Sequence, residues 1–415
     1  MQTQSKTFLP ILIGGSLVLM IGFSIRASFG LFQVPIAQDL GWPRATFSMA
    51  IAIQNLAWGF GQPIFGAIAE KWGDRRAILL GIALYAIGLL CTAYASHAQL
   101  IQGLEILVGF GIAGMGFGVI LAMIGRAAND RNRSLSLGIA TAAGSAGQII
   151  GPPLVAQLLQ DMDWRSVFIL MSVFVVFSLA LLVLIPKQDI SQVAKKGELK
   201  AILRNAMGDI NYHLIFLGFF SCGFQLGFIT AHFPAMIEQF CGPISTTSPL
   251  RGLGVSSSAI LGGFAMAMIG AMNIIGSIGA GWLGRDYSKK YLLSAIYLAR
   301  TILAAWFILT PMTPFTVIVF SLVMGFLWLA TVPLTSGLIG YIYGMKFMGT
   351  LYGIVFFSHQ LGSFLGVWIG GTMFDQFGNY NAVWWIGVGV GLISAIVHLP
   401  IREKPYQLQK AVPSI

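Results

Sequence analysis

Apolar runs long enough to cross a bilayer follow one another down the whole chain, separated by short polar loops, and this succession leaves few folds open. They fall at 8–34, 46–69, 77–96, 99–125, 134–159, 164–186, 211–238, 256–282, 291–310, 314–342, 347–372 and 381–400. A transmembrane helix needs roughly 20 mostly apolar residues. Backbone polar groups in hydrocarbon must bond within the protein, so segments of this kind are helices. Composition agrees: of 415 residues only 9% are charged and 56% are hydrophobic, with a mean hydropathy of +0.81. A soluble domain carries roughly 25% charged residues. The expected fold is therefore an all-α membrane protein with twelve transmembrane helices. The first run follows Lys6 as a secretory leader would, but it continues without a small-residue cleavage site and reads as a first span.

The formal net charge is +10, and the basic residues are sorted by side. With the N-terminus cytoplasmic, 19 of the 24 Lys and Arg residues fall in cytoplasmic segments, among them Lys71, Arg75, Arg76, Arg126, Lys195, Lys196, Arg285, Lys346 and Lys410. Only Arg44, Arg165 and Arg251 fall on the other side, while Arg26 and Arg300 lie inside runs. Such a bias places both termini in the cytoplasm, so the charge reports topology and no nucleic-acid partner is expected. Cys91, Cys222 and Cys241 offer neither a disulfide framework nor metal-ligand spacing. No metal and no cofactor is expected.

The basic connection 187–210 divides the chain into halves, 1–186 and 211–415, of six spans each. Its "ELKAILRNAM" portion has helical spacing and is either a helix on the membrane surface or plain linker. The halves repeat. "GQPIFGAIAEKWGDRRAILLGIALYAIGL" from Gly61 aligns with "GSIGAGWLGRDYSKKYLLSAIYLARTIL" from Gly276 at a constant offset of 215 residues, pairing Gly66 with Gly281 and Arg75 with Lys290. Two pseudo-symmetric six-helix bundles point to a secondary transporter that rocks around a central site.

The segment "GAIAEKWGDRR" from Gly66 resembles the loop 2–3 signature of the major facilitator superfamily, with Glu70 at the acidic position and an additional acid, Asp74. Gly138, Gly144, Gly147 and Gly151-Pro152 are similar to that superfamily's fifth-helix pattern. The second-half copy departs, carrying Arg285 where an acid is usual and Asp286 after it. Finer resemblance, in "GFSIRASFGLFQVPIAQDLGW", "AMNIIGSIGAGWLG" and "VFFSHQLGSFLG", is to the bacterial branch related to monocarboxylate transporters and oxalate–formate exchangers. It implies movement of small organic anions, often with protons. Gly66, Glu70, Asp74, Arg75, Arg76 and Asp286 are the expected conformational latch, in which carboxylates meet arginines and helix ends and hold the halves together in one alternating state.

The membrane-embedded polar residues are the candidates for chemistry. Arg26 lies between Gly22 and Gly30, one turn away on either side. It reads as a carboxylate anchor, as a snorkelling side chain, or as a structural partner of helix carbonyls or Glu105; the glycine flanks weigh against snorkelling and the anion reading leads. Glu105 is an acid well inside a span and a candidate proton site. Arg300 reads first as a tie from helix 9 to helix 8 or 10, and second as a substrate contact. His359 and Gln360 fall halfway along helix 11, His359 being the best-placed titrating group. His232, two residues before Pro234, reads as a gate or as an interface histidine. Gln54, Asn55 and Asn273 either bind substrate or join helices.

The expected function is secondary active transport of a small organic anion, a carboxylate, across the plasma membrane (a bacterial inner membrane) by alternating access, with proton symport as a hypothesis. The chain is expected to work as a monomer whose partners are the anion, protons and lipid. The alternative is proton-coupled drug or metabolite efflux. Neither a P-loop nor a catalytic constellation occurs, so no enzyme is expected.

Overall fold

The structure is a computed structural model that describes residues 2–42, 44–186 and 198–406. Most of the expected linker (187–197, with Lys187, Lys195 and Lys196) and Lys410 lie outside the described residues. Every regular element among the described residues is helical. Twelve membrane helices are numbered in chain order. The first half comprises α1 (Gln2–Ser28), α2 (Arg44–Trp72), α3 (Asp74–Ala93), α4 in two pieces (Ala98–Gly114 and Phe117–Ala127), α5 (Arg133–Asp161) and α6 (Trp164–Leu181). The second half comprises α7 (Ile210–Phe240), α8 (Ser258–Asp286), α9 (Lys289–Leu309), α10 in two pieces (Pro314–Leu327 and Thr331–Tyr343), α11 (Met348–Phe377) and α12 (Asn381–His398). The "ELKAILRNAM" segment is a helix, Glu198–Met207, of which Ala206 is buried.

Ten of the twelve are long and apolar enough to cross a membrane on length and hydropathy alone. The other two, α2 and α5, are equally long, at 29 residues each. Their lower hydropathy has a physical cause. Gln54, Asn55 and Gln62 interrupt α2, and glycine, serine and Pro152-Pro153 interrupt α5. Both helices lie where the two halves meet, so their polar faces meet protein.

The repeat is visible in the packing. In the first half α1 packs on α5, α2 on α4 and α3 on α6; in the second α7 packs on α11, α8 on α10 and α9 on α12. Adding six to each label converts one set into the other. The interface between halves obeys the same rule, α2 against α11 and α5 against α8. Small residues permit these approaches. A Cβ at Gly66 would stand 2.3 Å from the backbone carbon of Gly349 on α11. At its repeat counterpart Gly281 a Cβ would stand 2.6 Å from the Ser134 carbonyl oxygen on α5.

Two expected spans prove discontinuous. The helix expected over 99–125 breaks at Met115–Gly116, where Gly116 lies against Trp58 and Gln62 of α2. The one expected over 314–342 breaks near Trp328, where the freed Leu329 N–H donates to Asn273 Oδ1 at 2.8 Å. In both places a side-chain amide on a neighbouring helix lies at the break, and hydropathy cannot register this.

Candidate functional site

The two halves meet along a line that begins mid-membrane and ends at the basic loops. On the α2–α11 side, Gln360 Nε2 donates to the Asn55 carbonyl oxygen at 3.3 Å, and Phe60 packs on Phe357 with ring centroids 4.6 Å apart. Farther toward the basic end, Gly353 closes on Pro63 and Gly66 on Gly349. On the α5–α8 side, Asn273 Nδ2 donates to Ser145 Oγ at 2.7 Å, and Ser134 and Gly138 lie against Gly281. Asn273 Oδ1 also accepts from Ser277, so one amide joins α5, α8 and α10. This is the basic end sealed.

The loop 2–3 signature builds the seal. Gly73 takes φ +97°, a conformation that costs a side chain with a Cβ, and lets α2 turn directly into α3. Glu70, 5% exposed, accepts from the Thr350 backbone N–H at 2.8 Å and from the Thr350 hydroxyl. Thr350 is in the first turn of α11, where free amides and the helix dipole favour a carboxylate. Asp74 opens α3 and pairs with Arg126 at the end of α4, within the first half. Arg75 is half-buried and Arg76 exposed; neither forms an ion pair among the described residues. Asp286 pairs with Arg285 on the surface at 3.1 Å. The acid that caps α9 is instead Glu403, from beyond α12, which accepts from Ser288 Oγ and from the Lys289 and Lys290 amides. Sequence reasoning missed it because it is 113 positions from the amide it caps.

We expect Glu70→Gln to weaken closure of the basic end by about 1.5–3 kcal/mol, the scale of hydrogen bonds to a charged group. Hydrogen exchange at the Thr350 amide reports it directly and should accelerate by roughly tenfold or more; unchanged protection would show that the bond does not hold the seal.

Above the seal, in the first half, lies Arg26. Its Nη2 donates to Asn55 Oδ1 at 2.9 Å, and its guanidinium carbon sits 4.7 Å from the centre of the Trp58 ring. Asn55 is braced by the Ile51 carbonyl, and Trp58 by Gln62 Oε1 at 2.8 Å. The half-buried Arg26 keeps Nε without a hydrogen-bond partner and makes no ion pair with a carboxylate among the described residues. Glu105 is fully buried nearby in α4, but its partner is Gln54, whose Nε2 donates to Oε2 at 2.7 Å, and Oε1 is unpartnered. Thus adjacent amides on α2 hold the two ionisable groups separately, Gln54 the carboxyl of Glu105 and Asn55 the guanidinium of Arg26.

Gln360 links this group to the second half. Its Oε1 lies 3.2 Å from His359 Nδ1, and the His359 ring stacks on Phe356. His232 is elsewhere: it reaches the Val367 carbonyl at 2.9 Å and packs between Phe228 and Tyr380, tying α7 to α11. Arg300 is also apart from Arg26, fully buried among the second-half helices. The structure thus brings Arg26, Gln54, Asn55, Glu105, His359 and Gln360 into one connected group.

Two repeated six-helix bundles, closed against each other at one end below a charged group held mid-membrane, define a multi-pass membrane protein of the alternating-access kind. The chain belongs to the Major Facilitator Superfamily, whose signature matches residues 13–367. It is 26% identical to the uncharacterized MFS-type transporter YcxA of Bacillus subtilis (strain 168), covering 93% of this chain and 94% of that protein. To monocarboxylate transporter 13 of Bos taurus it is 24% identical, covering 87% and 81%. Among solved structures, the proton:xylose symporter XylE superposes with a TM-score of 0.77 at 13% identity, covering 98% of this chain and 99% of that one. FucP in the outward conformation superposes at 0.68 and 15% identity, covering 94% and 97%. At these identities the solved structures establish the fold alone. The protein is a membrane transporter and not an enzyme.

Proposed function

We propose that this transporter carries a small carboxylate, with Arg26 as the anchor for its negative charge. The supporting observation is the state of that guanidinium: held in place by Asn55 and Trp58, half-buried, and without a carboxylate partner among the described residues. A buried cation without a counter-charge costs several kcal/mol, and a carboxylate cargo would supply one through the two-pronged geometry arginine favours. The name of the bovine relative is consistent with the same cargo class. The positive-inside bias places the basic end in the cytoplasm, and the B. subtilis relative fits a bacterial inner membrane. In that orientation the sealed basic end makes this the outward-facing state. The bundles 1–186 and 211–415 would then exchange it for an inward-facing one by breaking the α2–α11 and α5–α8 contacts around the Arg26 group. A thermal-shift screen of purified protein against mono- and dicarboxylates tests the cargo class. A saturable rise in melting temperature with one of them supports it, and a flat response to all of them overturns it.

Proton coupling is assigned to His359, whose Nδ1 faces the Gln360 that reaches Asn55 and whose side chain also lies against Cys222. In liposomes, an inward proton gradient should drive accumulation in wild type and lose that effect in His359→Ala, with counterflow exchange retained. Gradient-driven uptake that survives the substitution would remove His359 from the mechanism. One observation favours the efflux alternative, the fully buried Glu105 with an unpartnered oxygen. If Glu105→Gln alone abolishes gradient-driven movement, and movement of lipophilic compounds at that, efflux becomes the better reading.

A further inference from the structure

A second buried guanidinium is left outside the Arg26 group. Arg300, midway along α9, is fully buried, and among the described residues it has no ion pair with a carboxylate. Its Nη1 points to the Cys222 sulfur of α7 at 3.5 Å, and its Nε and Nη2 have no partner. The surroundings are unusual for hydrocarbon depth. Cys222 Sγ lies 3.3 Å from Thr331 Oγ1, at the break of α10. The Tyr297 ring, one turn before Arg300, stands 5.9 Å from the guanidinium carbon. The hydroxyl of Tyr352 on α11 is buried without a hydrogen-bond partner, while the Tyr297 hydroxyl is directed at Thr331 and the His359 side chain at Cys222. Both tyrosines and His359 lie within electrostatic reach of Cys222.

Four helices therefore converge donors on one place and, among the described residues, bring no carboxylate to it. Unpaired polar groups in such a medium each cost on the order of a kcal/mol or more, and an uncompensated charge costs several. The repeat makes the departure plain. In the first half the equivalent position is Tyr85, a neutral residue whose hydroxyl donates to the Gly22 carbonyl of α1 at 3.3 Å. Helix 3 touches helix 1 there as helix 9 touches helix 7 here, but the charge at the first contact is Arg26 on helix 1, within electrostatic reach of Tyr85, whereas the second half places it on helix 9 itself.

We propose that the cluster around Arg300 binds one small monovalent anion of halide size, separate from the cargo held at Arg26. The guanidinium supplies the charge, and the Tyr297, Tyr352 and Thr331 hydroxyls supply the remaining donors. Arg300, Tyr297, Tyr352 and Cys222 are all fully buried, which favours a small anion over a bulky one. Its position gives it a role, because His359 forms one wall and is the side chain through which Gln360 connects to Asn55 and Arg26. Bound anion would neutralise the Arg300 charge and steady the histidine.

The test is the unfolding temperature of purified wild type, followed by tryptophan fluorescence, in sodium chloride or bromide with isethionate holding ionic strength constant. A saturable halide-dependent rise is expected in wild type and equally in Arg26→Ala, and none in Arg300→Gln. Tyr352→Phe, which removes one hydroxyl and little volume, should weaken the halide midpoint by about fivefold, the value of one hydrogen bond. Cys222→Ser should keep the response. Wild type indifferent to halide would overturn the proposal, as would an Arg300→Gln protein that responds like wild type. A response to formate or acetate through Arg300, with none to halide, would also overturn it and make the cluster part of the cargo path. A halide response lost in Arg26→Ala would overturn the separateness of the two sites, whereas failure of the carboxylate screen leaves this result readable.

Discussion

Arg26→Ala should abolish carboxylate-induced stabilisation and lower uptake at limiting substrate by roughly 10- to 150-fold. That range is what losing a charge-assisted hydrogen bond of about 1.5–3 kcal/mol implies. The fold itself should tolerate the change. Breaking a buried ion pair costs about 3–5 kcal/mol because it strands the partner charge, but Arg26 has no carboxylate partner among the described residues to strand. What the protein loses is the bond to Asn55 Oδ1 and the contact over Trp58. Arg26→Lys separates charge from geometry: an ammonium keeps the attraction but not the planar fork. It should fall between wild type and alanine, in affinity more than in maximal rate. Asn55→Ala leaves the guanidinium present but unaligned and should resemble Arg26→Lys. An Arg26→Ala protein that binds and moves carboxylates as wild type does would end the anchor reading and make this arginine structural.

The second large effect is expected at Gly66, where a Cβ would meet backbone rather than a movable side chain. The atoms in the way are Gly349 C at 2.3 Å, Thr350 N at 2.4 Å and Gly349 O at 2.5 Å. The collision exists only while the basic end is closed, since α2 and α11 belong to opposite halves. Gly66→Ala should therefore shift the balance of states and leave each bundle intact. Overpacking costs about 1–3 kcal/mol, so the closed form should lose roughly 5- to 150-fold in relative population. Spin labels at Lys71→Cys and Lys346→Cys, in a Cys91→Ser background, read the separation of the basic ends. The distribution should move to longer distances, with transport falling in parallel. Gly103→Ala is the control, because nothing lies within 4 Å of its added carbon. An unchanged distance distribution in Gly66→Ala would mean that the seal is carried elsewhere, for example by α5 and α8.

Much of the fold could be read from the chain, for reasons tied to particular residues. Gly66 and Gly281 matched in sequence at the offset of the repeat, and both prove to be points where one half meets the other. The loop 2–3 signature located Glu70, and the reading that it would meet a helix end describes its bonds to Thr350. What could not be read was the partner of each polar group. Glu105 was considered for Arg26, yet the structure gives it to Gln54. Asp286 was grouped with the latch, yet among the described residues it pairs with its neighbour Arg285, and α9 is capped by Glu403. Cys222, Thr331, Tyr297 and Tyr352 carried no signal at all. Each is an ordinary residue of an apolar helix until a buried arginine from α9 arrives beside it.

The division follows from the range of the forces involved. Hydropathy, loop charge and glycine spacing act over a few turns of helix, so the sequence by itself determined the number of helices, their repeat and the bias of charge toward one end. Helical periodicity states which residues share a face, but not which helix that face will meet. Glu70 and Thr350 are 280 positions apart, and Arg26 and Asn55 are 29. Only tertiary packing decided that adjacent amides on α2 would hold an acid and a base apart, that the basic end would be shut, and that Arg300 would lie among donors with no carboxylate to answer it.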